Sequence, residues 1–153
     1  MKRPKERGGG DRQVWRVIVR HGRSDVGEYQ LTFSSDERHV IEAGAEALSV
    51  LQRTRTRSWD LWMAVGLALK VLRNKVMAAI NTEQPAGSIY NAVFGEWMSR
   101  FGLVTDKATR SHLFDLIDHR EEVEAWRRTT LDPKEQLKIT HPSSVWRRWK
   151  GKR

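Results

Sequence analysis

The hydrophobic period changes once along this chain, and that single change most constrains its fold. Between residues 13 and 33 apolar and polar positions alternate. In Gln13–Arg20 (QVWRVIVR), Trp15, Val17 and Val19 point one way and Val14, Arg16, Ile18 and Arg20 the other. In Glu28–Phe33, Tyr29, Leu31 and Phe33 oppose Glu28, Gln30 and Thr32. A period of two with β-branched and aromatic residues predicts strands, and the link HGRSDVG carries turn residues. A lone hairpin is marginal in water, so its aromatic face must pack on a helix or on a second copy of itself.

From residue 34 the apolar spacing is helical. Ser34 with Glu37 predicts a capping box ahead of Val40, Ile41, Gly44, Ala47, Leu48 and Leu51. After the polar link RTRTR, Ser58 caps a long helix to about Ile80, with Trp62, Val65, Leu69, Leu72, Val76 and Ile80 as its stripe. TEQPAG ends it. Ser88 starts a helix carrying Tyr90, Phe94, Trp97, Met98 and Phe101, and Gly102 is its natural stop. Thr105 is the expected cap of the next helix, with Leu113, Phe114 and Ile117. Asp118 and Glu121 read as a second capping box. Asp132-Pro133 is a helix start with proline at the first position, and His141-Pro142 opens a last short helix holding Val145, Trp146 and Trp149. The expected fold is mainly α: an N-terminal β-hairpin, then a bundle of about five to seven helices that includes a helix-turn-helix-like unit. Residues 1–12, with Pro4 and Gly8-Gly9-Gly10, read as a flexible basic arm, 13–33 as the hairpin, and 34–153 as a helical domain with a basic C-terminal segment, one domain overall.

Charge is distributed in blocks. The 153 residues carry a net +9, with 39% hydrophobic and 31% charged residues. Residues 1–23 hold +6, 51–82 hold +5 and 136–153 hold +6, while 24–50 hold −5, 83–104 hold −1 and 105–135 hold −2. Three basic blocks around a near-neutral to acidic scaffold point to a polyanionic partner. The apolar content excludes a wholly disordered chain. No apolar run approaches a membrane span, and MKRPKERGGG lacks the apolar region of a secretory signal. There is no cysteine, which removes disulfides and thiol chemistry and fits a cytoplasmic protein.

Four features are candidates for function. In the helix-turn-helix-like unit at residues 88–118, joined at FGLVT, the second helix presents Lys107, Thr109, Arg110 and Ser111 near its N-terminal end, where major-groove contacts are made. Asp106, Asp115 and Asp118 oppose that reading, and the structural alternative is an ordinary α-hairpin. The C-terminal segment THPSSVWRRWKGKR interleaves Trp146 and Trp149 with Arg147, Arg148 and Lys150, a pattern suited to phosphate contact and stacking. Alternatively its apolar residues dock on the bundle while the cations stay solvated. Arg53, Arg55 and Arg57 alternate with polar residues in a link and suit backbone positioning, or are a solvated connector. His112, Asp115, His119 and Glu122 would share one face of an unbroken helix and bind a metal, but Asp118 reads as a cap that breaks it. No metal, cofactor or enzyme activity is therefore expected, and no phosphate-binding glycine loop or nucleophile elbow is present.

At FGEWMSRFGLVTDKATRSHLFDLIDHREEVEAW and LDPKEQLKITHPSSVWRRWK the chain resembles small uncharacterised bacterial proteins found on phages and other mobile elements. The shared outline is a Trp-containing helix, a short turn after an aromatic-Gly pair, a Thr-capped helix and a closing HP-x-x-V-x-x-x-W-like segment, over roughly residues 60–150. By analogy the resemblance implies DNA binding. The expected function is that of an accessory or regulatory protein on double-stranded DNA, as a homodimer, with phosphate contacts from the arm, link and tail and base readout by the helix near Thr105. The alternatives are a protein-interaction module or adaptor using the aromatic hairpin, an RNA or single-strand binder, and a metal-dependent enzyme.

Overall fold

A computed structural model describes the backbone of residues 13–21 and 25–151 and the side chains of 29–151. The basic arm, the centre of the hairpin link and the strand faces assigned before Tyr29 lie outside what it describes at side-chain level. Two antiparallel strands, β1 (Gln13–His21) and β2 (Asp25–Phe33), pair with Trp15 opposite Leu31 and Val17 opposite Tyr29. Seven helices follow among the described residues: α1 (Ser35–Thr54), α2 (Trp59–Ala79), α3 (Ser88–Phe101), α4 (Lys107–Asp118), α5 (Arg120–Thr130), α6 (Pro133–Lys138) and α7 (Pro142–Lys150). The fold is mainly helical with an N-terminal hairpin, as the period change predicts. No helix among the described residues is long and apolar enough to cross a membrane.

Local signals set most of the helix starts. Ser34 and Glu37 form the reciprocal capping box of α1, and Ser58 accepts the Leu61 N–H at the start of α2. Asp132 and Glu135 form a second box at α6, with Pro133 behind the cap. Two expectations need correction. Asp106, not Thr105, caps α4, because its carboxylate takes both the backbone N–H (2.9 Å) and the hydroxyl (2.6 Å) of Thr109. Asp118 forms no capping box with Glu121: His119 stands at the N-cap of α5, and Asp118 turns to Lys70 (3.4 Å) and Arg73 (3.3 Å) on α2. Two long-range cations outcompete one local cap.

The described apolar residues of β2 meet helices. Leu31 and Phe33 are buried in the main core with Ile41, Leu48, Leu69, Leu72 and Trp97, and Phe33 sits edge-on to Phe101 at 5.5 Å. Those two side chains are engaged within the fold and offer no free face to a partner. A second cluster joins α4, α5 and α7 through Leu116, Val123, Val145 and Trp149.

Close helix contact is set by glycines. A Cβ on Gly44 would lie 2.2 Å from the Cβ of Ala68 and 2.9 Å from the Ala64 carbonyl oxygen, so α1 meets α2 almost backbone to backbone. A Cβ on Gly95 in α3 meets nothing within 4 Å. The two sites therefore respond oppositely to the same change. Gly44→Ala is expected to lose about 1–3 kcal/mol to overpacking, despite the better helix propensity of alanine, whereas Gly95→Ala gains about 0.5–1 kcal/mol. Urea unfolding of both variants beside the parent checks the pair; equal signs would contradict the packing described.

Candidate nucleic-acid interface

Three connections meet at one end of the bundle. Arg53, expected in the link, belongs to the last turn of α1, while Arg55 caps that helix and Arg57 lies in the α1–α2 link; all three are exposed and without an ion pair to any described residue. Arg53 shares a hollow with Gly102 of the α3–α4 turn. Arg55 and Arg57 line a groove of about 490 Å³ with Trp62, Lys138, His141 and Ser144 at the α6–α7 junction. No carboxylate lines this groove. The N-terminus of α4 is close as well, since the Asp106 carboxylate acts electrostatically on His141. Parts of two basic blocks read from the sequence thus meet, Arg55 and Arg57 from one and Lys138 from the other, beside the N-terminal end of α7.

Arg55 is held in the left-handed region (φ 55°, ψ 26°) as the C-cap of α1. Glycine or asparagine ordinarily fills such a position, and another residue there carries a steric cost of about 1–2 kcal/mol. Residues held this way tend to gather where function over-rides local preference. The turn aims consecutive alternating arginines outward instead of letting α1 run on.

His141 completes the groove. Its ring lies 5.1 Å from Trp62, and its Nδ1 accepts the Ser143 N–H at 3.2 Å as the N-cap of α7. Burial holds its pKa below the ordinary value; His112 and Arg147 push the same way and Asp106 opposes. Because the folded pKa is the lower one, the unfolded chain binds more protons near pH 6, so this residue's contribution is complete above about pH 6.5 and is lost as pH falls. His141→Asn keeps a cap acceptor without titrating. Its urea midpoint is expected to change less between pH 7.5 and 5.5 than that of the parent; equal pH dependence would remove His141 from the account.

The residues singled out on α4 lie differently. Thr109 is buried, at 4% exposure, with its hydroxyl on Asp106. Arg110 folds back, its Nη1 on the Thr105 carbonyl (3.0 Å) and beside Met98 Sδ, with its guanidinium 5.7 Å from the Phe94 ring centre. Both build the turn between α3 and α4. Lys107 and Ser111 are exposed, and with Arg110 they line another groove, between α2, α3 and α4.

On α7 the apolar residues dock. Val145 and Trp149 are buried. Trp146 stacks on His112 at 4.2 Å and donates its Nε1–H to Asp115 at 2.7 Å. Asp115 also holds Lys150 at 3.0 Å and His119 at 3.1 Å. Arg148 pairs with Glu135 at 2.9 Å, while Arg147 is exposed, with its Nε on the Ser143 carbonyl. His112 and His119 are thus engaged in packing contacts, and among the described residues no group of three or more acidic, His or Cys side chains is arranged to hold a metal ion.

Lys138 and His141 are the members of the convergent end that sequence reasoning missed. A basic residue just before a Thr-His-Pro helix start is a weak signal, and nothing local announces that this junction lies beside the α1–α2 link. No protein-family model, curated protein or solved structure matches this chain.

Proposed function

We propose that this chain binds double-stranded DNA through its phosphate backbone, as an accessory or regulatory factor and not as a catalyst. The observation that carries the reading is that Arg55 and Arg57 share a carboxylate-free groove with Lys138 and His141, with Arg53 in the last turn of α1 beside the α3–α4 turn. Backbone-gripping cations supply affinity and register without sequence information. Arg147 and the exposed pair Arg148–Glu135 on α7 extend the basic surface, since a solvent-exposed ion pair is worth little and yields readily to a phosphate. Base readout by α4 rests on Lys107 and Ser111, because Thr109 and Arg110 are engaged in the turn. A single-strand reading through the tail tryptophans is weaker, as Trp146 and Trp149 already pack against His112 and the second core cluster.

Arg55→Gly separates binding from folding. Glycine suits the left-handed geometry, so stability is expected to hold or to rise by up to about 1 kcal/mol. Affinity for a mixed-sequence duplex, read by fluorescence anisotropy near 0.1 M salt, is expected to fall roughly fivefold, somewhat less than the loss of one full phosphate contact. No duplex binding by the parent chain, or unchanged affinity in the variant, would sink the proposal.

A further inference from the structure

A groove of about 420 Å³ lies between α2, α3 and α4, lined by Arg73, Tyr90, Phe94, Lys107, Arg110 and Phe114 among others, and no carboxylate is part of its lining. Four of its polar side chains, Arg73, Tyr90, Lys107 and Arg110, can donate and come from three helices, and Asn91 and Ser111 also line it. Arg73, from α2, lies 4.4 Å over the Phe114 ring and is steadied from behind by Asp118 at 3.3 Å. Tyr90, from α3, is 5% exposed and stacks on Phe94 at 5.4 Å. Its hydroxyl makes no hydrogen bond with a described residue, and the positive charges of Arg73 and Arg110 both act on it. Arg110, from α4, uses Nη1 on the turn, and its remaining N–H groups have no described partner. Lys107, one turn away, has no ion pair among the described residues.

Tyr90 lines the groove, and the positive charges of Arg73 and Arg110 both reach its phenol. Burial raises the Tyr90 pKa to about 12, so the phenol stays a neutral donor at any physiological pH. A phenol O–H, two guanidinium groups and an ammonium, with no acceptor carboxylate, match an oxyanion with several free oxygens and about two negative charges. We infer that this groove binds the phosphate of a phosphomonoester. Its size falls in the range of small-ligand sites and is too small for a duplex. Two sources share this chemistry: a free small phosphate ester and the 5′-phosphate end of a nucleic-acid strand. The site contains none of the basic-end residues, and of those proposed for base readout it shares Lys107 and Ser111, so Tyr90, which duplex binding does not use, separates the two readings.

Calorimetric titration of the full chain tests it, using inorganic phosphate, a nucleoside 5′-monophosphate, the corresponding nucleoside, and one oligonucleotide with and without a 5′-phosphate. The monophosphate is expected to bind and the nucleoside not. Tyr90→Phe keeps the ring and its packing, and Lys107→Gln changes an exposed residue; each is expected to weaken monophosphate binding about tenfold, the scale of a lost charge-assisted hydrogen bond. Tyr90→Phe should leave duplex affinity unchanged. Binding of inorganic phosphate and monophosphate, with no preference for the phosphorylated oligonucleotide, assigns the site to a free ester. A preference for the phosphorylated oligonucleotide that Tyr90→Phe erases assigns it to a strand end. No binding of any phosphate up to about 10 mM, or equal binding by parent and both variants, would overturn the inference.

Discussion

Arg127→Ala is expected to lower folding stability by about 3 kcal/mol, the largest effect anticipated for a single residue here. Arg127 is 6% exposed and makes no close ion pair with a described residue. Its guanidinium donates to the carbonyls of Ile139 and, at 3.0 Å, Gln136, and lies 4.5 Å over the ring of Trp59. Burial lowers its pKa, against the more distant pull of Asp60 and Glu124. The contacts matter because α6 buries none of its own residues. Arg127 from α5 ties it to the rest of the fold, with Gln136 Nε2 on the Leu131 carbonyl beside it and the exposed pair Arg148–Glu135 adding little. Truncation leaves two carbonyls without their donor, each worth about 1–3 kcal/mol when unsatisfied, and removes a cation–π contact of roughly 0.5–2 kcal/mol. Water entering the vacated space recovers part of that. Arg127→Lys keeps the charge and loses the planar fork, so it should fall between the parent and alanine. The checking measurement is a urea titration. With a slope typical of small proteins, the alanine variant's midpoint should drop by about 1–2 M, and a drop within error of zero would show that α6 is held by other means.

Arg127 also marks where the sequence stops being informative. In EAWRRTT it is one of two adjacent arginines on an amphipathic helix, and its neighbour Arg128 is exposed. Which of the two turns inward is decided by carbonyls on a segment that returns nine to twelve residues later. The features legible beforehand are those set within a turn of chain: the caps at Ser34, Ser58 and Asp132, the stop at Gly102, and the strands at period two. The errors have the same origin. Thr105 and Asp106 both suit an N-cap, and only Thr109, three residues on, selects Asp106. Asp118 has a glutamate at capping distance, but Lys70 and Arg73 lie across the bundle. At the candidate interface, Arg53, Arg55 and Arg57 stand out by pattern alone. The meeting of Arg55 and Arg57 with Lys138 and His141 depends on how α1, α6 and α7 pack, which no local spacing records.

Replacing Arg53, Arg55 and Arg57 together by glutamine is expected to weaken duplex binding by roughly 100-fold near 0.1 M salt. Each phosphate contact contributes about 0.9 to the slope of log affinity against log salt, and so close to one decade at that concentration; three contacts set an upper limit near 500-fold. Stability should change little, because all three side chains are exposed and none has an ion pair with a described residue. The residual binding comes from Lys138, Arg147, Arg148 and the basic residues outside the described part of the chain. Anisotropy titration, with thermal unfolding as the control for folding, reads the effect directly. A loss below threefold with the fold intact would move the binding surface elsewhere.

The salt dependence of duplex binding tests the central claim most directly. Measured with a mixed-sequence duplex between about 50 and 300 mM salt, six to eight phosphate contacts give a slope of about −5 to −7 for the parent chain. The triple variant should be shallower by about 3, which is the signature of three lost contacts at this end. A parent slope near zero, or the same slope in both proteins, would contradict the proposal that Arg53, Arg55 and Arg57 grip the backbone.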